Sequence, residues 1–283
     1  MLLQKDKINT IAIGGFDGIH RGHRELIKKL GKNGALVVID KEDANLTPMA
    51  KRSEYSKYPC MFYHFSKIKH LYGEEFISLL KKDFPNLQKI VVGYDFTFGK
   101  AKSHEARDLK NLFDGDVEII DEYFYDGISV HSSIIRQKIK DGHIVDANRL
   151  LGREYTITGD VIKGQGLGKK RLYPTLNLHI LNFLIPKNGV YATRTMIGDK
   201  VYDSVSFVGT RHSTDKKFSI ETHILDATNI EQPRWVKLSF VAYLRENEKF
   251  DDLDKLKKQI QKDIKKAKQS LIACKIEFEG KSR

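Results

Sequence analysis

His20 and His23, three residues apart, stand among glycines in the stretch Gly14-Gly15-Phe16-Asp17-Gly18-Ile19-His20-Arg21-Gly22-His23, a combination suited to holding phosphates. Glycines let the backbone approach an anion closely, and the unpaired N–H groups and positive dipole end of a following helix favour negative charge. The apolar run from Ile8 to Ile13 reads as a buried strand before this turn, and Glu25, Leu26, Ile27 and Leu30 open a helical pattern after it. Both imidazoles would then face one side. Two histidines could also ligate a metal. A metal centre needs a third or fourth ligand, however, and neither a cysteine nor an HExxH pattern accompanies them.

Further stretches carry chemistry-bearing residues. In Val91-Val92-Gly93-Tyr94-Asp95-Phe96-Thr97-Phe98-Gly99, the alternating Phe96 and Phe98 could line a slot for a flat ring beside Asp95, or form an ordinary buried turn. In Val130-His131-Ser132-Ser133-Ile134-Ile135-Arg136, the serines are natural helix caps, while the planar fork of Arg136 also suits phosphate oxygens. Later, Gly164, Gly166 and Gly168 can turn N–H groups inward as an anion nest, with Lys169 to Arg171 adding positive charge. Pro174 makes Tyr173 extended, so Thr175 and Asn177 point to one face, as hard-cation ligands, phosphate contacts or plain outward polar residues. Alternation from Phe218 to Leu225 puts Phe218, Ile220, Thr222 and Ile224 on one face and Glu221 on the other, free to be a surface carboxylate or a base. His131 and His223 read as incidental or structural.

The histidine turn, HxGH after GxFDG, resembles the nucleotidyltransferase signature. In this longer form it resembles the adenylyltransferase half of the bacterial bifunctional riboflavin kinase/FAD synthetases. VGYDFTFG is similar to that family's VGxDFxFG, HSSIIR to its SSTxIR element, the run Gly159 to Asn177 to GxVxxGxxxGxxxxxPTxN, and IETHI to the context of its catalytic glutamate. The resemblance implies riboflavin phosphorylation to FMN in the C-terminal part and adenylylation of FMN to FAD, with pyrophosphate release, in the N-terminal part. Riboflavin, FMN and ATP are the implied substrates and Mg²⁺ the implied cofactor. It implies that His20, His23 and Arg136 act on ATP phosphates, surrounded by Gly14, Gly15, Phe16, Asp17, Gly22, Ser132 and Ser133. Asp95, Phe96 and Phe98 would place the flavin. In the kinase part, Gly164, Gly166, Gly168 and Lys169 would hold ATP, Thr175 and Asn177 the metal, Glu221 would be the base, and Arg245 would belong to a flavin-covering segment.

Two stretches depart from the family. Its Phe-x-Pro-His-Pro-like segment after the second strand is replaced by Asp40-Lys41-Glu42-Asp43 and then Asn45-Leu46-Thr47-Pro48. Its Gly-x-Arg-Pro-Thr appears as Gly209-Thr210-Arg211-His212-Ser213. The first keeps open the alternative of a riboflavin kinase with a weak or inactive adenylyltransferase domain; a different class of reading is a flavin-responsive binding or regulatory protein, RNA-associated through the lysine-rich helix.

These residues need elements to position them. Apolar runs at Ala35 to Ile39, Lys89 to Val92 and Val117 to Ile120 read as strands. Helical patterns fall at Glu74 to Leu80, His104 to Phe113, Ser132 to Ile139 and Ile144 to Leu150. Alternating strands and helices imply a parallel, Rossmann-like sheet covered on both faces, with ligands beyond the carboxyl ends of its strands. After Gly152 come strand patterns at Tyr155 to Ile162, Gly189 to Met196, Val201 to Val208, Phe218 to Leu225 and Val236 to Tyr243. These imply an antiparallel barrel, followed by a terminal helix. The expected fold is α/β plus β, with domains at 1–151 and 152–283.

Composition fits this division. Of the net charge of +12, +3 lies in residues 1–150 and +9 in 151–283. Much of that excess is Lys255, Lys257, Lys258, Lys262, Lys265, Lys266 and Lys268, interleaved with Leu253, Leu256, Ile260, Ile264 and Ala267 at helical spacing, as on the solvated face of an amphipathic helix. Such a field attracts anionic substrates. No RNP, KH or zinc-finger pattern points to nucleic acid. No apolar run is long enough to cross a bilayer, and the first residues lack a signal-peptide core, so a cytoplasmic location is expected. Cys60 and Cys274, far apart and outside any CxxC, read as packing residues.

Overall fold

The structure is a computed structural model that describes residues 4–42, 44–163, 173–211, 217–227 and 232–279, with side chains to Cys274. The chain packs as two compact units, Met1–Ile134 and Ile135–Arg283.

In the first unit, β1 (Thr10–Gly14) leads to α1 (Arg21–Ile27), β2 (Gly34–Asp40), α2 (Lys51–Ser56), β3 (Cys60–His64), α3 (Phe65–Ile68) and α4 (Gly73–Asp83). Then come β4 (Lys89–Gly93), the paired β5 (Thr97–Phe98) and β6 (His104–Glu105), α5 (Leu109–Leu112), β7 (Asp116–Ile120), the small hairpin β8 (Phe124–Tyr125) and β9 (Ile128–Ser129), and the first residues of α6 (Ser132–Lys140), most of which belongs to the second unit. The five-stranded sheet has the order β3-β2-β1-β4-β7, every pair parallel. Parallel strands covered on both faces read as continuous apolar runs, which is why β1, β2 and β4 were legible. Ile11, Ile13, Val37, Ile90 and Val92 pack on one face with Phe76 and Leu80 of α4 and Leu109 of α5, while Ala12, Leu36, Val38 and Val91 pack on the other with Phe16, Leu26 and Leu30.

Several elements differ from expectation, among them two that bear on the sheet. Residues 104–113 do not form one helix: β6 pairs with β5, and a 3-10 turn at Ala106–Asp108, tied by Glu105 N–H to Asp108 Oδ2 at 2.8 Å, leaves only α5 as α-helix. The edge strand β3, which pairs with β2 alone, follows no period-2 pattern and went unforeseen. Burial pushes the Cys60 thiol in β3 up to about 11, which keeps it protonated at neutral pH as a packing residue should be.

The division between the units falls earlier than the expected junction after residue 151. The cause is α7 (Ile144–Leu151), whose buried Asn148 donates to the Phe240 carbonyl at 2.9 Å and accepts from the Tyr155 N–H at 2.7 Å, fastening the helix to the barrel strands. The barrel comprises β10 (Tyr155–Ile162), β11 (Leu176–Ile180), β12 (Gly189–Ile197), β13 (Lys200–Thr210), β14 (Phe218–Ile224) and β15 (Trp235–Arg245). It closes in the order β10-β11-β14-β13-β12-β15, antiparallel throughout.

The terminal helix α8 (Leu253–Glu279) lays Ile264, Ala267 and Leu271 on Val190, Ala192, Val205 and Val241, with its seven expected lysines on the exposed side. One acid faces the barrel. Asp263 takes a bidentate pair from Arg245 at 2.9 and 2.7 Å, and both side chains are largely buried. Breaking a buried pair leaves an uncompensated charge. We therefore expect Asp263→Ala to destabilise the barrel by about 3 kcal/mol, read as an earlier barrel transition in urea than the parent shows.

Candidate active sites

In the first unit, Gly14 ends β1 and the turn that follows is conformationally unusual: Phe16 (φ 51°), Gly18 (φ 92°) and Ile19 (φ 40°) all lie in the left-handed region. Only Gly18 adopts it without steric cost. The turn delivers His20 as the N-cap of α1, where its Nδ1 accepts the His23 N–H at 3.3 Å and thus uses one of the helix-start donors expected to face phosphate. The two imidazoles stack with centroids 3.6 Å apart at 20°, and Phe16 lies 5.1 Å from the His23 ring. A Cβ at Gly22 would meet the His20 ring at 3.3 Å and the Val130 carbonyl at 3.4 Å, whereas one at Gly15 would meet nothing within 4 Å. Close packing therefore explains Gly22, and open space lies beside Gly15.

The other expected phosphate residues fall into distinct places. Phe16 is wholly buried in the core. The buried Asp17 carboxylate accepts the N–H groups of Asn45, Leu46 and Thr47, and the Asp17 carbonyl accepts the Ser132 hydroxyl at 2.7 Å. That last bond brings the start of α6 against the histidine turn. Ser133 is exposed beside it, and Arg136 follows one helical turn later. His131 pairs with Glu122 at 3.4 Å, and the Ser129 hydroxyl is the chief cause of that carboxyl lying below its usual range.

After β4, on the same sheet edge, Asp95 is exposed, Phe96 is half-buried and Phe98 is buried. The two rings stack 5.7 Å apart at 13°, and Phe98 also packs on Phe76 and His104. Phe98 thus belongs mainly to the core, and Phe96 keeps the accessible face. Arg21 lies over the Tyr125 ring at 4.6 Å, within cation–π range.

In the second unit, Glu221 on β14 lies directly opposite Asn177 on β11, so both side chains share a face of the barrel wall. Glu221 Oε1 accepts from Arg211 Nη1 and from Ser219 Oγ, each at 3.1 Å. Its strand neighbours Ile220, Thr222 and Ile224 are buried as expected, whereas Phe218 is exposed. Thr175 is exposed just before β11, and His223 is held by the Pro174 carbonyl at 2.8 Å. Hydroxyl and amide oxygens beside a carboxylate suit a hard cation that keeps phosphate and water ligands. No group of three or more His, Cys, Asp or Glu side chains able to hold a metal occurs among the described residues. Gly164, Gly166, Gly168 and Lys169 lie outside the described residues. Arg245, expected near flavin, spends its guanidinium on Asp263 and the Glu246 carbonyl. Sequence reasoning missed Thr47 and the role of Arg211 beside Glu221, although Arg211 stands at the arginine of the family's Gly-x-Arg-Pro-Thr.

Residues 3–134 match the FAD synthetase family model and residues 151–271 the riboflavin kinase family model. The chain belongs to the bifunctional riboflavin kinase/FAD synthetase family. Relatives described as bifunctional riboflavin kinase/FMN adenylyltransferases include those of Escherichia coli, 27% identical with 90% of each chain covered, and Bacillus subtilis, 27% identical with 94% of each covered. A crystal structure described as a macrolide-efflux protein from Streptococcus pneumoniae superimposes with a TM-score of 0.84 at 28% identity, covering 93% of this chain and 94% of that one. No described helix here is long and apolar enough to cross a membrane.

The tight fit at Gly22 makes a specific expectation for the family's two activities. Gly22→Ala should displace the His20 ring by a few tenths of an ångström and slow FAD formation from FMN several-fold. Riboflavin phosphorylation in the same chain should stay within about twofold, since Gly22 lies outside the riboflavin kinase match at residues 151–271. Steady-state assays of both steps on one preparation check it.

Proposed function

We propose that this chain makes FAD from riboflavin in two ATP-dependent steps, one in each unit. What carries the reading is that each matched region holds within itself a constellation suited to one step: stacked His20 and His23 in the first, and Glu221 registered against Asn177 in the second. We place the functional boundary at residues 151/152, where the kinase match begins. Both steps belong in the cytoplasm, where ATP is supplied.

In the barrel, Glu221 takes the proton of the riboflavin 5′-hydroxyl as its oxygen attacks the γ-phosphorus, and ADP leaves. Arg211 and Ser219 hold the receiving carboxylate in place. Thr175 and Asn177 are the oxygen donors we assign to Mg²⁺, which when bound supplies neutralisation of the ATP phosphates. Gly164, Gly166, Gly168 and Lys169 are assigned to ATP on the family resemblance.

In the first unit, an FMN phosphate oxygen attacks the α-phosphorus of a second ATP and pyrophosphate leaves. The nucleophile is already ionised and the leaving group is good, so the work is positioning and charge stabilisation. His20 and His23 donate to the phosphates, Ser133 at the start of α6 adds a donor, and the open space beside Gly15 admits the chain of phosphates; Arg136 is assigned to the phosphates on the family resemblance alone. Asp95 and the accessible face of Phe96 are assigned to flavin. Arg245 we assign to holding α8 over the barrel, with any flavin contact made by its neighbours.

The rewritten segment from Asp40 to Pro48 favours a second reading, a riboflavin kinase with a feeble adenylyltransferase. Chromatography of the flavins formed from riboflavin and MgATP separates the two. We expect FMN and then FAD. Glu221→Gln should cut FMN formation about 100-fold or more, as for loss of a general base, while leaving FAD formation from supplied FMN intact. His23→Ala should do the reverse. FMN accumulating without FAD would establish the second reading, and absence of any phosphorylated flavin would leave a flavin-binding protein.

A further inference from the structure

We propose that Asp17 and Thr47 form a clasp that positions the histidine turn for adenylyl transfer, and that Asp17 is a positioning residue rather than a phosphate ligand. The inference rests on the adenylyltransferase reading of the first unit and goes beyond it by assigning a role to the segment that departs from the family.

The turn needs such a device. Phe16 and Ile19, both bulky, sit at positive φ, a conformation that costs on the order of 1 kcal/mol or more per residue and persists only where surrounding contacts over-determine it. Asp17 lies between them and is 5% exposed. Its Oδ1 accepts the Leu46 N–H at 3.0 Å and the Thr47 N–H at 2.9 Å, and its Oδ2 accepts the Asn45 N–H at 3.2 Å. The bonding is reciprocal: the Gly18 N–H donates to Thr47 Oγ1 at 2.7 Å, and that hydroxyl lies 3.4 Å from both the Phe16 carbonyl and Asp17 Oδ1. From the other side, the Ser132 hydroxyl ties down the Asp17 carbonyl at 2.7 Å. Residues 16, 17 and 18, the last of them two residues before His20, are thus each bonded to Thr47.

Charge supports the assignment. A carboxylate aimed at a triphosphate would repel it, whereas one surrounded by three N–H groups has its charge answered within the protein. The clasp fixes where His20 and His23 stand, and a shift of about 1 Å in such groups can cost about 100-fold in rate. Its loss should therefore appear in kcat more than in KM.

The test uses the full-length protein and Thr47→Val, which keeps the shape and removes the hydroxyl, with Thr47→Ser as the conservative rescue and Asp17→Asn as a second break. In Thr47→Val we expect kcat for FMN adenylylation to fall about tenfold or more with KM for ATP changed less, riboflavin phosphorylation within about twofold, and Thr47→Ser near the parent. The kinase activity reports that the chain is folded. The imidazole C–H resonances of His20 and His23, sensitive to their stacking, should move in Thr47→Val and return in Thr47→Ser. Unmoved resonances, or Thr47→Val and Asp17→Asn with the parent's kcat, would overturn the clasp. A parent protein making no FAD overturns the adenylyltransferase reading instead, and the resonances still decide whether Thr47 holds the histidines.

Discussion

Parallel pairing of β1 with β2 on one side and β4 on the other governs the first unit. The chain moves outward from β1 through β2 to β3, then returns across β1 to lay down β4 and β7. The segments leaving β1 and β4 therefore depart from one sheet edge toward opposite faces, which opens a crevice at their carboxyl ends. The histidine turn follows β1 and the VGYDFTFG stretch follows β4, so strand order alone brings together residues more than seventy positions apart in sequence. Because β1, β2 and β4 are buried on both faces, this edge is a rigid base for a turn whose own backbone is strained.

The barrel reaches the same end through register. Leu178, Ile220 and Thr222 face inward, and a slip of one residue in the pairing of β11 with β14 would drive Glu221 into the interior and expose the apolar positions. Burial of one face thus fixes the carboxylate opposite Asn177 on the other. The interior is not wholly apolar. Thr193, Thr195, Ser204, Ser206 and Thr222 are buried there and bonded to one another at 2.7 to 3.2 Å, which satisfies every one of these hydroxyls and ties β12, β13 and β14 together.

What was legible in the sequence follows from the range of the physics. Continuous runs such as Ala35 to Ile39 and alternating ones such as Tyr155 to Ile162 declare strands because the two burial regimes differ in period, and the lysine-rich pattern declares the exposed face of α8. The β3 strand lacked either pattern, and the helix expected over 104–113 was interrupted because β6 found a partner in β5. Partnerships across long sequence separations left no local trace. Nothing near Asp17 announces Thr47, and nothing near Arg245 announces Asp263. An acidic residue on the apolar side of a lysine-rich helix was nevertheless a signal that some buried cation awaited it.

The departure between Asp40 and Pro48 can be weighed on the same grounds. Three of the bonds that this segment makes to the Asp17 carboxylate come from backbone N–H groups, at Asn45, Leu46 and Thr47, and a backbone donor survives any substitution except to proline. Only the hydroxyl of Thr47 depends on side-chain identity. The residues before it can therefore be rewritten at little cost to the turn, provided that the chain still arrives at Asn45 extended enough to present its N–H groups. Proline follows at once, at residue 48, and restricts Thr47 to the non-helical conformations that such a presentation requires. The segment that departs from the family in its side chains thus holds the turn through its backbone N–H groups and the Thr47 hydroxyl, two residues before the stacked histidines begin.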